Sequence, residues 1–233
     1  MVDEMDRLTK FLPVCLLCHA SGSQLYFQKT DPMFGPRDYY HCPVCGLIYL
    51  SPGQQLDFVQ QKQRYDWHEN NTSDIRYIRF LKKLTDPLGA YLSSGAKGLD
   101  YGCGPGPAIW KILEESGCFV TNYDPIYCPN QSALEQKYDF IVCTEVIEHF
   151  YNPRIEFLKF KFLLKEEQGI LAVMTEVLGD PVHFSQWWYH REPTHMCFYQ
   201  VKTFQWIAGW LGWSVQFFGK NVAIFFEKTM KIF

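Results

Sequence analysis

The sequence predicts an α/β protein, a doubly wound and mostly parallel sheet with a small cysteine-rich module in front of it. Three observations carry this reading. Two C-x-x-C pairs, Cys15/Cys18 and Cys42/Cys45, lie near the start with 23 residues between them. After Gly95, short apolar strands alternate with helical segments, the order of parallel βαβ units. The runs Trp213–Phe218 and Val222–Phe226 follow each other closely and read as an antiparallel C-terminal hairpin.

Composition sets the bounds. The 233 residues are 47% hydrophobic and 20% charged, which suits one large domain, or one domain with an appendage, and argues against disorder. A net charge of −3 provides no global basic field for nucleic acid or anionic membrane. No apolar run approaches the roughly 18 residues of a membrane span. The start, MVDEMDRLTK, is charged and lacks a signal-peptide core, so a reducing cytoplasm is the expected setting. Nine cysteines is an odd number, and a chain this long does not need a disulfide framework.

Three segments are expected. Residues 1–55 read as a ribbon with strands at Gln24–Lys29, Asp38–His41 and Leu47–Leu50. Residues 56–95 form a linker with N-terminal helices. Its polar first part shows little periodicity, and Asp74 then caps a helix whose Ile75, Ile78, Leu81 and Leu84 share one face. Residues 96–233 hold the alternating part. Its strands are Lys97–Tyr101, Cys118–Tyr123, Tyr138–Thr144 and Gly169–Thr175, and its helices are Pro107–Ser116, Pro153–Leu164 and Thr203–Leu211.

The cysteine pairs point to a metal. A C-x-x-C knuckle turns two thiolates toward one ion, and two knuckles complete the four ligands of a structural Zn²⁺. The Pro and Gly of CPVCG suit such a turn. The competing reading is free or redox-active cysteines. A thioredoxin-like pair would sit between a strand and a helix, and neither pair does. Cys15, Cys18, Cys42 and Cys45 are therefore the expected zinc ligands. A site closed by four thiolates keeps no open position, so the metal is expected to fold its module rather than to catalyse. Residues 1–55 carry four Lys/Arg against five Asp/Glu, which weighs against nucleic acid as the ribbon's target.

The second motif is a glycine loop. Gly102, Gly104 and Gly106 fall between a strand and a helix, where missing side chains let a ligand touch the backbone. Nicotinamide and flavin enzymes share such loops. Here the spacing is G-x-G-x-G, Asp100 stands two residues before the first glycine, and Asp124 ends the next strand 22 residues after it. A carboxylate there can hold both hydroxyls of a ribose.

With these features the chain resembles the class I S-adenosylmethionine-dependent methyltransferases. The resemblance runs over about residues 75–227. It rests on LDYGCGPG, Asp124, YDFIVCTEVIEHFYNP, GILAVMTE, and REPTHMCFY followed by a helix and GWSV. It implies a Rossmann-like sheet and a cofactor-binding set of Asp100, Gly102, Cys103, Gly104, Asp124, Pro125, Thr144 and Glu145. The Asp100–Gly104 stretch would take the methionine end and Asp124 the ribose, with Cys103 merely a small residue that fits. The chain departs from the family pattern in one place. Only 14 residues separate Asp124 from Asp139, too few for a third strand and its crossover helix. That edge of the sheet is expected to be reduced or missing, with Ile126, Tyr127 and main chain covering the adenine.

Methyl transfer from a sulfonium needs alignment, exclusion of water and often a base. Glu145, His149 and His195 are the expected catalytic residues, chosen from a wider set that includes Glu148, His183 and His190. Glu145, Glu148 and His149 form an E-x-x-E-H pattern that similar quinone-precursor and small-RNA methyltransferases use for a divalent ion. The alternative is that Glu148 and His149 orient the following loop. Residues 184–213 hold ten aromatics and read as an unstructured lid followed by the last helix, with Trp187, Trp188 and Tyr189 walling an acceptor. The expected acceptor is a small molecule. RNA or a protein docked by the ribbon is the first alternative, with Arg76, Arg79, Lys82 and Lys83 as a possible cleft. The second is a non-catalytic cofactor-binding module. No membrane partner is expected, and the oligomeric state stays open.

Overall fold

The structure, a computed structural model, describes residues 13–67, 71–179 and 181–227. The charged first ten residues lie outside these.

The larger sheet has six strands. In chain order they are β4 (Lys97–Tyr101), β5 (Phe119–Tyr123), β6 (Phe140–Thr144), β7 (Ile170–Met174), β9 (Trp213–Phe218) and β10 (Val222–Glu227). Their spatial order is β5-β4-β6-β7-β10-β9. The first four run parallel, and β10 lies antiparallel to both β7 and β9. The reason is in the residues. FIVC in β6 and ILAVM in β7 are buried along their length, as strands covered on both faces must be. The C-terminal run alternates with a tight turn and so folds back on itself.

Helices cover both faces. On one side α2 (Ile75–Gly89) and α3 (Ile109–Glu114) pack Leu81, Leu84, Leu88, Ile109 and Leu113 against Phe140, Val142, Met174 and Ile224. On the other, α4 (Pro153–Leu163) and α5 (Val201–Leu211) bury Phe157, Phe160, Phe204 and Ile207 against Leu99, Ile141, Val173 and Phe225. Pro87 sits inside α2 rather than interrupting it. The sheet is tightly covered at Gly98, where a Cβ would fall 2.1 Å from the Phe140 ring. Gly98→Ala should therefore cost about 2 kcal/mol through overpacking. Urea denaturation checks this, and an unchanged midpoint would contradict the packing.

The expected loss of the third strand holds. After β5 the chain makes a short 3-10 turn, Gln131–Glu135, tied by the Tyr138 hydroxyl donating to Ala133 O at 2.8 Å. It then enters β6 directly, which leaves β5 at the sheet edge.

The smaller sheet contains β1 (Gln24–Asp31), β2 (Gly35–His41) and β3 (Ile48–Leu50), all antiparallel. Its fourth strand is not local. The pair β8 (Cys197–Phe198) joins β3, with Ile48 opposite Phe198 and Tyr49 opposite Cys197. Cys15, Leu17, Leu47 and Tyr49 also share one continuous core with Tyr199 and Phe204. The segment read as an unstructured lid is thus built. It makes 3-10 turns at Pro181–Gln186 and Trp188–Arg191 before pairing as β8. The polar connector also differs from expectation, because it contains helix α1 (Phe58–Tyr65). Asp57 and Gln60 form a reciprocal capping box at its start, with Gln60 N donating to Asp57 Oδ1 at 2.8 Å. Among the described residues, no helix is long and apolar enough to cross a membrane.

Candidate active site

One cavity of about 750 Å³ opens at the carboxyl ends of β4, β5 and β6, where an open α/β sheet binds its ligands. Its floor is Asp100–Pro105, Asp124–Tyr127 and Thr144–Val146. Helix α1 closes it with Phe58, Gln61 and Tyr65, and the 188–195 segment with Trp188, Tyr189, Glu192 and His195.

The glycine loop explains one end. Gly102 has φ +81° and donates its N–H to Tyr123 O at 2.8 Å. A Cβ there would lie 2.4 Å from Val146 Cγ2, so both backbone angle and space demand glycine. Asp124 locks the loop to the end of β5. Its carboxylate accepts from Gly104 N at 3.1 Å, Ile126 N at 2.8 Å and Tyr127 N at 2.9 Å. Cys103 is buried, which pushes its thiol above the usual range, and it points at Gly104 O rather than at a base. Thr144 Oγ1 lines the cavity, is buried and finds no hydrogen-bond partner in the protein.

Asp100 is buried, and desolvation followed by the Asp124 charge pushes it up to about 7. Its folded-state value therefore exceeds the ordinary 3.8 of the unfolded chain. The folded state holds the proton more tightly, so this stabilisation is full below pH 3.8 and is lost as pH rises through about 7. The cofactor-free chain should show a falling Tm across that window, and Asp100→Asn should flatten the fall. Equal slopes in the two proteins would refute the assignment.

The other end is a polar cluster. Glu145 follows β6 with φ +52°, a left-handed backbone that costs a non-glycine residue about 1 kcal/mol or more. Its carboxyl is pushed up to about 9, first by burial and then by the Glu148 charge. Glu148 is fully buried and accepts from Thr175 Oγ1 at 3.0 Å and from the Tyr189 hydroxyl. The Tyr189 hydroxyl also stands 3.0 Å from Glu145 Oε2. Tyrosine has one proton to give, so a Glu145 that keeps its own proton at neutral pH can donate back to that oxygen. His149 Nδ1 lies 3.1 Å from Thr194 O, and His195 Nδ1 lies 2.8 Å from Tyr189 O. A carbonyl only accepts, so each Nδ1 carries a proton, and in the neutral form of either ring the lone pair would sit on Nε2. The two rings are 4.8 Å apart.

Of the expected bases, Glu145, His149 and His195 line the cavity, and Glu148 lies just beneath. His183 is exposed outside it. His190 is buried elsewhere, stacked on Phe184 at 5.0 Å, with burial lowering its pKa. Trp188 and Tyr189 wall the cavity, whereas Trp187 packs on Phe198. Arg76, Arg79, Lys82 and Lys83 are exposed and do not line it. The cluster of acid and imidazole groups also differs from the expected one. Donor atoms of Glu148, His149 and His195 lie within 4.8 Å of one another, while Glu145 reaches this set through Tyr189. The contribution of α1 is new. Its Tyr65 sits edge-on to His149 at 5.2 Å, and its Arg64 grips Glu192 bidentately, with contacts of 2.7 to 3.1 Å. The capping box at Asp57 was the available signal for that helix.

The four cysteines converge in the ribbon. Cys15 and Cys45 Sγ are 3.6 Å apart, and Cys18 and Cys42 Sγ 3.4 Å. Disulfides would need about 2.05 Å. Four sulfurs about 2.3 Å from a tetrahedral ion would stand about 3.8 Å apart, close to what is seen. The knuckles match. His19 and Gly46 each follow the second cysteine in left-handed conformation, and each donates to the carbonyl of the first.

A sequence profile described as a methyltransferase domain matches residues 73–216. No curated protein matches the chain. Among solved structures, an O-methyltransferase family protein from Burkholderia thailandensis superposes with a TM-score of 0.52 at 12% identity. It covers 73% of this chain, which spans 64% of the Burkholderia chain. A putative methyltransferase from Haloferax volcanii, solved in complex with the Trm112 methyltransferase activator, superposes with a TM-score of 0.51 at 12% identity, covering 72% of this chain and 98% of its own. Such identities speak for the fold. More than half of the chain lies within the profile match, and the protein therefore belongs to the methyltransferase-domain family.

Proposed function

We propose that the chain methylates an O, N or C nucleophile on a small-molecule acceptor, and that its ribbon holds a structural zinc ion. The supporting observation is that one cavity joins the glycine loop to the Glu145, His149, His195 and Tyr189 cluster. Gly102, Cys103, Gly104 and Asp100 would hold the methionine end by main chain and charge. Asp124 and Pro125 would meet the ribose, Ile126 and Tyr127 the adenine, and Thr144 Oγ1 would give its unmatched hydroxyl to the ligand. Bound there, S-adenosylmethionine supplies a methyl group already activated by its sulfonium.

The chain's own residues do the rest. Trp188 and α1 exclude water, which strengthens each polar contact inside. His149 or His195 takes the acceptor's proton at Nε2, with Nδ1 held by a carbonyl. Glu145 stays protonated and, through Tyr189, fixes the shape of the pocket floor. The four exposed basic residues of α2 lie away from the cavity, which favours a small acceptor over RNA.

A second reading is favoured by one observation. Glu148, His149 and His195 offer a carboxylate and two imidazoles at one point, a set that suits a divalent ion. These three residues, rather than Glu145, Glu148 and His149, would hold it. Such an ion would orient an acceptor oxygen in place of a histidine base.

The ribbon would span residues 1–55, the linker 56–95 and the catalytic domain 96–233. A reducing compartment suits nine unbridged cysteines. Isothermal titration with S-adenosylhomocysteine tests the core of this reading. One micromolar site is expected, and no heat at any concentration would overturn it. Adding Mg²⁺ or Mn²⁺ with and without His195→Ala separates the two chemistries, since only the ion reading predicts metal binding that the substitution removes.

A further inference from the structure

The ribbon does more than sit beside the catalytic domain. Its sheet ends in β8, which belongs to the segment that closes the cavity. Leu50 N donates to Met196 O at 2.8 Å. Lys29 Nζ donates to His190 O at 2.7 Å. Arg37 is 1% exposed, and its guanidinium donates to Pro193 O and, at 3.0 Å, to Gln54 O. The carbonyls of residues 190, 193 and 196 thus all face the ribbon. The same short stretch turns other groups the opposite way. Met196 N donates to Glu148 O at 2.8 Å, Thr194 O meets His149, and His195 enters the cavity.

We propose that the ribbon is the frame that positions the acceptor end of the active site, with Arg37 and Lys29 as positioning residues. Apolar packing joins the ribbon and the closing segment as well, with Tyr39, Ile48 and Leu50 against Phe184, Met196 and Phe198, but such contacts do not fix individual carbonyls. A buried guanidinium is costly to desolvate and is kept only where its hydrogen bonds are needed. Here those bonds fix carbonyls, so they fix backbone, and the backbone they fix carries Glu192, Thr194 and His195. Loss of the Arg37 bonds would let this stretch drift, moving His195 against His149 while the glycine loop stays in place. The proposal rests on the assignment of His149, His195 and Tyr189 to the acceptor end.

The test compares Arg37→Gln, Lys29→Met and the control Arg154→Gln in the full chain. Arg154 also bonds a ribbon carbonyl, Leu17 O at 3.1 Å, but from α4 and away from the closing segment. Amide hydrogen exchange over residues 189–196 should quicken about tenfold in Arg37→Gln, less in Lys29→Met, and not at all in Arg154→Gln. The imidazole ¹⁵N shifts of His149 and His195 should move in the first two variants only, a readout that general loss of stability would not select. Affinity for S-adenosylhomocysteine should stay within about threefold in all three, because the glycine loop and Asp124 are untouched. Equal exchange in the Arg37 and Arg154 variants, or unmoved histidine shifts in both ribbon variants, would overturn the proposal. Should Arg37→Gln fail to fold, Lys29→Met decides alone, since Lys29 is only partly buried. Absence of S-adenosylhomocysteine binding in the unaltered chain would instead sink the cofactor reading, so the two failures are distinct.

Discussion

Cys42→Ser should empty the ribbon of metal and unfold it. A structural Zn²⁺ site contributes about 10 kcal/mol of folding free energy, comparable to the whole stability of a typical domain. The first knuckle belongs to no strand, and besides the metal it is held by Cys15 and Leu17 in the shared core and by the Arg154 hydrogen bond to Leu17 O at 3.1 Å. Cys15 and Cys45 share one hydrogen bond, which lowers the pKa of the first thiol and raises that of the second, so the pair holds its last proton between them. Metal analysis of the purified chain should give one equivalent of zinc, and the serine variant none, with a melting transition lower by more than about 10 °C. A variant that melts like the parent, with the same metal content, would show that the four sulfurs converge for another reason. Because Cys42, Cys45, Tyr49 and Phe204 share one core, the damage should spread beyond residue 50.

Asp124→Ala has the second largest expected effect, on ligand affinity rather than on fold. Two charge-assisted hydrogen bonds to a ribose diol contribute about 3 kcal/mol together, so affinity for S-adenosylhomocysteine should drop about 100-fold. The substitution also leaves the N–H groups of Gly104, Ile126 and Tyr127 without their acceptor. A modest loss of stability, about 1 to 2 kcal/mol, should accompany it while far-ultraviolet circular dichroism stays unchanged. Asp124→Asn separates the two effects. Its amide oxygen can still accept from Ile126 and Tyr127, so stability should recover more than affinity does. Titration calorimetry that finds Asp124→Ala binding as tightly as the parent would remove the ribose assignment.

The sequence made the parallel sheet legible because β6 and β7 are apolar on both faces, a pattern with few other solutions. Counting residues after Asp124 sufficed to foresee the missing strand, since chain length cannot be negotiated. The cysteine spacing likewise pointed to a four-sulfur cluster before any geometry was known. Helix α1 escaped because periodicity measures burial against a core, and α1 buries only Gln61 among the residues it turns inward. Its cap was visible, but its apolar face was not. Strand β8 escaped because two residues carry no period at all. The Glu145 and His149 end of the site was legible within one motif. The approach of His195 to it was not, because it depends on β8 docking on a sheet built near the start of the chain. The Tyr189 hydroxyl bonds to Glu145 and Glu148 were hidden for the same reason.

That docking has a consequence for how the protein is made. Gln200 Nε2 donates to Gly46 O at 2.6 Å across a separation of 154 positions, beside the pairing of Ile48 with Phe198. Contacts of such high order form late, after most of the intervening polypeptide has been ordered. On the ribosome, the knuckles emerge well before β8, so their sheet lacks its last strand until residues 197–198 are released. A nascent chain halted before residue 197 would therefore carry an open-edged module, with Ile48 and Tyr49 exposed to whatever chaperone or neighbour meets them.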